Sequence, residues 1–231
     1  MSVSTISDRY AVVREQVDAA CVVAGRKPTD VTLVAVSKTR PVEMVREAMA
    51  AGALHLGENY AQELRDKAAE LRGEALAPTW HFIGRLQRNK VKYVAGAADL
   101  FHAFDNLKLA AVFESRRETP LDVLVAVNTG GELSKGGVPV EETLNFCKQV
   151  MMEPGVNLRG LMTIPPVVAT PSEAAPFFQL MQDLKSEGLK IGLPLHELSM
   201  GMSGDFEEAI KYGATMVRVG TAIFGPRTYT A

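Results

Sequence analysis

The stretch VTLVAVSK, residues 31–38, is almost wholly apolar, without polar alternation, and ends on a serine and a lysine. Such a run suits a strand covered on both faces, as in a parallel sheet flanked by helices. Seven further runs share its character: LHLG (54–57), WHFIG (80–84), DLFHAF (99–104), LDVLVAV (121–127), LRGLMTI (158–164), LHELS (195–199) and TMVRVG (215–220). Between them lie apolar stripes at helical spacing, Tyr60/Leu64/Ala68/Leu71, Val140/Leu144/Cys147/Val150 and Phe177/Leu180/Met181/Leu184, each with charges on the opposite face. Eight strand–helix units predict an α/β fold, a TIM (β/α)8 barrel. An open doubly wound sheet competes, but no GxGxxG follows the first strand. Ahead of the barrel, Tyr10, Val13, Val17, Cys21 and Ala24 predict a helix over about 7–25, with Ser7 and Asp8 at its cap and Gly25 at its stop. No Pro/Gly/Ser-rich linker divides the chain, so residues 1–231 are expected to form a single domain. The loop TGGELSKGGVP (129–139) falls where a functional βα loop would sit.

Composition narrows the function classes. With 47% hydrophobic and 23% charged residues among 231, the chain can bury a full core. The 25 basic and 27 acidic residues leave a formal net charge of −2, which excludes the polybasic footprint of a nucleic-acid binder or membrane anchor. The N-terminus lacks an apolar signal core, and no stretch approaches the roughly 18 apolar residues of a spanning helix. Cys21 and Cys147 form no CxxC or Cys/His cluster, which argues against zinc and against a disulfide framework. A soluble cytoplasmic protein is expected, and a monomer, since no long apolar patch is evident in the pattern.

In a barrel, chemistry is expected where strands end and βα loops begin. Lys38 directly follows the first strand, where partial burial would lower its pKa and make its amine nucleophilic toward an aldehyde; a solvated strand-end lysine is the simpler alternative. LSMGMSGDFEEAI (198–210) reads as strand, turn and helix, and the Ser203 hydroxyl with the helix-start N–H groups can hold a phosphate. TMVRVGTAIFGPR (215–227) repeats the idea with Gly220 and Thr221, although ordinary capping also explains both segments. Arg218 interrupts an apolar strand, so its charge requires an acceptor or an anion. An aldehyde-reactive lysine with a phosphate cradle points to pyridoxal phosphate, and other phosphorylated carbonyl compounds satisfy the same inventory.

The segments VAVSKTRP (34–41), LGENYAQE (56–63), WHFIGRLQRNK (80–90), GLMTIP (160–165), LSMGMSGD (198–205) and VRVGTAIFGPR (217–227) together resemble the pyridoxal phosphate homeostasis proteins, the YggS/PROSC family. The likeness runs collinearly across nearly the whole chain. It implies a barrel like the N-terminal domain of alanine racemase, of pyridoxal phosphate fold type III, with the cofactor bound as a Schiff base, an internal aldimine on Lys38. Ser203, Gly220 and Thr221 match positions that hold the cofactor phosphate, and Arg218 matches the arginine facing the pyridine nitrogen. Asn59 is expected near the cofactor hydroxyl, with Ser199 and Met162 lining the pocket. Departures are Gly136 where relatives often carry serine, Ala103 where a small hydroxyl residue is common, and Arg85 in place of a frequent proline.

The resemblance implies a protein that carries pyridoxal 5'-phosphate, takes part in vitamin B6 homeostasis and passes the cofactor to apo-enzymes, without a dedicated catalytic activity. The alternative is a weakly active amino-acid racemase. Racemisation needs proton transfer at both faces of the substrate carbon. In alanine racemase a second domain and partner subunit complete the site, whereas this chain ends at Ala231 and none of Tyr10, Tyr60, Tyr93, Tyr212 or Tyr229 marks an obvious strand end. His81 and His196 read as core or rim histidines. His55 and His102 show no metal-ligand spacing, and no metal is expected. Asp105, Glu58 and Glu63 fit either a general-base pair or capping and solvated faces.

Overall fold

The computed structural model describes residues 4–132 and 136–226. Leu133, Ser134 and Lys135 of the ELSKGG loop, and Arg227 and Tyr229 among the motif residues above, lie outside the described residues. The predicted runs form strands β1 (Thr32–Val36), β2 (His55–Glu58), β3 (Thr79–Phe82), β4 (Leu100–Phe104), β5 (Leu121–Asn128), β7 (Val156–Met162), β8 (Glu197–Met202) and β9 (Met216–Val219). Every pairing is parallel, β1 pairs with β9, and the β4–β5 pairing closes the ring. A two-residue strand, β6 (Val138–Pro139), pairs with β5 outside the ring. Closure satisfies the backbone groups that an open sheet would expose at its edges.

Around the ring run α2 (Val42–Ala50), α3 (Ala61–Glu70), α4 (Val91–Val94), α5 (Ala110–Glu114), α6 (Thr143–Val150), α7 (Ala175–Lys190), α8 (Phe206–Lys211) and α9 (Thr221–Phe224). On α7 the buried stripe is Phe178, Met181, Leu184 and Gly188. Phe178 takes the inward place expected of Phe177 and Leu180 is not fully buried, a register that continues the buried Ala174 of the preceding 3-10 turn four residues earlier. The aromatic core is centred on Phe101, whose ring centroid lies 5.5 Å from that of Phe82 and 6.2 Å from those of Phe104 and Phe113.

The helix α1 (Ile6–Val23) precedes the ring and buries Ile6, Tyr10, Val13, Val17 and Cys21. Its cap is Thr5 and not Ser7, because Thr5 Oγ1 accepts the Asp8 N–H while the Asp8 carboxylate accepts the Thr5 N–H, pairing two otherwise orphan donors. Gly25, at φ 67, takes the left-handed conformation that ends it. The Arg9 Nε donates to Ile223 O at 2.6 Å and Arg26 Nη1 to Ala214 O at 2.7 Å, tying α1 to the last two units. Both cysteines are buried free thiols, and burial pushes Cys147 up to about 12. No described helix is long and apolar enough to cross a membrane.

Replacing Phe101 by Ala leaves a cavity where three rings met, and is expected to cost about 3–5 kcal/mol. Urea unfolding should show a lower midpoint at unchanged slope.

Candidate functional site

The end of β1 is clamped by buried charge. Ser37 is fully buried, and its hydroxyl donates to Glu58 Oε1 at 2.7 Å. Lys67 reaches in from α3 and donates through Nζ to Ser37 O at 2.8 Å, Glu58 Oε1 at 2.7 Å and Glu63 Oε2 at 3.2 Å. Glu63 in turn accepts the backbone N–H of Thr39 at 2.7 Å, and Thr39 holds a φ of 61. That conformation is strained for a β-branched residue and persists because its surroundings fix it. Lys38 therefore sits between two restrained residues, half-buried, at the mouth of the barrel. Burial raises the Glu58 carboxyl above its ordinary range while Lys67 pulls it back, and Glu58 Oε2 has no hydrogen-bond partner. Glu58 and Glu63 are thus absorbed by one lysine rather than standing as a general-base pair, and Asp105 accepts the Gly137 N–H at 3.1 Å.

Arg218 lies in β9 opposite Val34 of β1 and is only 4% exposed. Its Nη1 donates to Ser199 Oγ at 2.5 Å and its Nη2 to Thr163 O at 2.9 Å. Both acceptors are neutral oxygens, and among the described residues no carboxylate forms an ion pair with it. Burial lowers the guanidinium to about 10, so it stays charged at neutral pH, with Asp205 favouring the charge from a distance.

The remaining predicted residues distribute over the same end. Gly220 and Thr221 open the short α9 and, with Lys38, Arg40, Val36 and Phe224, line a small cavity of about 30 Å³. A Cβ on Gly220 would stand 3.2 Å from Val36 O, so the chain approaches β1 more closely there than a side chain comfortably allows. Ser203 is exposed in the turn after β8. Asn59 and Met162 line a cavity of about 540 Å³ with Ala103, Asp105 and Arg85. Ser199 is fully buried and lies beneath the mouth, bonded to Arg218 and to His102. Tyr60, absent from the predicted strand ends, directly follows Asn59 after β2 and lines the same cavity. No group of three or more His, Cys, Asp or Glu suited to a metal ion occurs among the described residues.

Residues 14–228 match the family described as alanine racemase, N-terminal domain. The chain is 44% identical to a pyridoxal phosphate homeostasis protein of Pseudomonas aeruginosa, covering 99% of this chain and 98% of the relative. It is 42% identical to that of Aquifex aeolicus, covering 96% and 98% respectively. The chain belongs to the pyridoxal phosphate homeostasis protein family. The solved structure of PipY of Synechococcus elongatus with PLP bound superposes at a TM-score of 0.81 with 33% identity, covering 96% of this chain and 100% of PipY. Alanine racemase of Corynebacterium glutamicum shares the fold at a TM-score of 0.65 and 16% identity, with 96% of this chain matching 62% of that one.

Lys67 escaped the sequence reading, although its spacing of three from Leu64 and four from Leu71 places it on the inward face of α3. A lysine at a stripe position is the available signal. Two departures from the family pattern are linked in space: a Cβ on Gly136 would lie 2.7 Å from Arg85 Nε, so the Arg85 side chain occupies room that a larger residue at 136 would need.

Lys67→Met should leave Glu58 buried without its cation and destabilise the fold by about 3–5 kcal/mol at neutral pH. The loss has a defined pH sign. With the folded pKa of Glu58 raised above its unfolded value, the folded state binds more protons in that window, so stability falls as pH rises through it. The variant should therefore recover stability when urea melts are run at pH 4.5 instead of pH 7.

Proposed function

We propose that this chain binds pyridoxal 5'-phosphate at the C-terminal mouth of the barrel, holds it covalently through the Lys38 amine, and acts in vitamin B6 homeostasis as a carrier rather than a dedicated enzyme. The observation that carries this reading is a clamped Lys38 that shares one small cavity with Gly220 and Thr221, on the strand that pairs with β9, where a buried Arg218 bonds only neutral oxygens. The donor set fits the cofactor: an amine for its aldehyde, a hydroxyl and N–H cradle for its phosphate, and a guanidinium for its ring nitrogen. When bound, the cofactor supplies an aldehyde and an electron-withdrawing pyridine ring.

The protein residues divide the remaining work. Ser203, with the N–H groups and hydroxyl at Gly220 and Thr221, would hold the phosphate at the start of α9, where unpaired backbone donors point outward. Arg218 would donate to the ring nitrogen, and a permanently charged donor there opposes its protonation and weakens the ring as an electron sink. That bias disfavours carbanion chemistry and favours holding over turnover. Asn59 and Met162 would flank the ring from β2 and β7. The proposed setting is the cytoplasm, as a monomer that yields the cofactor to apo-enzymes.

A second reading, weak amino-acid racemase activity, draws on Tyr60, which lines the mouth cavity and offers a hydroxyl beside the site. Sustained alanine racemisation abolished by Tyr60→Phe would favour that reading.

The carrier reading is tested by the visible spectrum of the protein loaded with pyridoxal phosphate, followed by borohydride reduction and peptide mass analysis. The expected result is a chromophore and a pyridoxyl label on Lys38, both lost in Lys38→Ala with the fold retained. A protein that takes up no cofactor, or a label that persists in Lys38→Ala, would contradict it.

A further inference from the structure

Behind Arg218 runs a line of side chains that the proposed function does not use. Ser199 Oγ lies 2.8 Å from His102 Nδ1, His102 Nε2 lies 2.9 Å from His81 Nδ1, and His81 Nε2 lies 3.0 Å from His55 Nδ1. β4 and β8 are not neighbours in the ring, so the His102–Ser199 bond crosses the barrel interior. His102 is fully buried and His81 is 2% exposed, whereas His55, the first residue of β2, is half-buried. His55 lines a cavity of about 390 Å³ with Leu33, Leu54 and the α1 residues Tyr10 and Arg14, near the strand starts and so at the end of the barrel opposite Lys38.

The direction of this line follows from its inner end. A guanidinium only donates, so Ser199 Oγ must accept from Arg218. The serine proton then has His102 Nδ1 as its acceptor, which forces the His102 proton onto Nε2. His102 Nε2–H donates to His81 Nδ1, and His81 Nε2–H donates to His55 Nδ1. One charge thereby fixes three tautomers in series. The reverse polarity, with His102 Nδ1–H donating to the second lone pair of Ser199 Oγ, would leave the buried serine proton without an acceptor among the described residues. Burial keeps the two inner rings neutral, lowering His81 to about 3 and His102 well below its ordinary range. Neutral rings are what the chain needs, because an imidazolium has no lone pair with which to accept.

We propose that His102, backed by His81 and His55, is a positioning residue for Arg218: a one-way hydrogen-bonded chain that turns the Ser199 lone pair toward the guanidinium and so fixes the donor presented to the cofactor ring. The cofactor half of this statement rests on the proposed function; the polarity of the chain does not. A hydrogen-bonded chain polarises along its length, so an uncoupled pair and a coupled series give different responses to a break at one end.

The experiment is long-range proton–nitrogen correlation NMR of histidine-labelled, cofactor-free protein at neutral pH, in the wild type and in Ser199→Ala. His55, His81 and His102 are expected as Nε2–H tautomers in the wild type. Ser199→Ala should convert His102 and His81 to mixed tautomers while the far-ultraviolet circular dichroism is unchanged. An Nδ1–H tautomer at His102 in the wild type, or a His81 signal unmoved by Ser199→Ala, would overturn the chain. A second arm reads the cofactor: His102→Leu should weaken pyridoxal phosphate binding by about tenfold, the loss of roughly one buried hydrogen bond. His102→Gln should restore most of it, since its amide can accept from Ser199 and donate to His81. Equal affinities for wild type and His102→Leu would overturn the positioning role, whereas absence of binding in the wild type itself would overturn the proposed function and leave the tautomer result standing.

Discussion

A full positive charge inside the barrel is the constraint around which this structure is arranged. Moving an ion out of water costs several kcal/mol even after relaxation, and Arg218 recovers part of that cost from two charge-assisted hydrogen bonds, each worth about 1.5–3 kcal/mol. Its acceptors come from the neighbouring strand and from the segment after β7, which fixes how β7, β8 and β9 present their ends. Both acceptors are neutral oxygens, so the bonds hold the guanidinium in place without cancelling its charge.

A second buried charge, Lys67, serves a different end. It bonds Glu58, Glu63 and the carbonyl of Ser37, holding the turn that carries Lys38. The two cations therefore differ in their partners: Lys67 meets carboxylates and a backbone carbonyl, whereas Arg218 meets only neutral oxygens. The left-handed Thr39 belongs to the Lys67 arrangement, since releasing its N–H from Glu63 would let the lysine turn relax.

The barrel was legible in the sequence because strands buried on both faces read as unbroken apolar runs, and eight such runs correspond to eight strands. Single-turn helices such as Val91–Val94 and Ala110–Glu114, and the two-residue Val138–Pro139 strand, carry too few residues for any periodicity to register. Lys38, Gly220 and Thr221 were readable as residues that follow strands and Arg218 as a charge within one, and the structure brings Lys38, Gly220 and Thr221 onto one small cavity. The histidine line was not readable, since residues 55, 81, 102 and 199 meet only when the ring closes across its interior. The same holds for Arg85 and Gly136, whose mutual fit depends on two loops meeting over the mouth.

The central claim is that the protein presents its ligand with a charged donor at the ring nitrogen, and the nitrogen-15 resonance of labelled pyridoxal phosphate bound to the protein tests it directly. The account predicts an unprotonated pyridine nitrogen accepting a hydrogen bond at neutral pH, shifting markedly when Arg218 is replaced by Glu. A protonated nitrogen in the wild type, unmoved by that replacement, would contradict it.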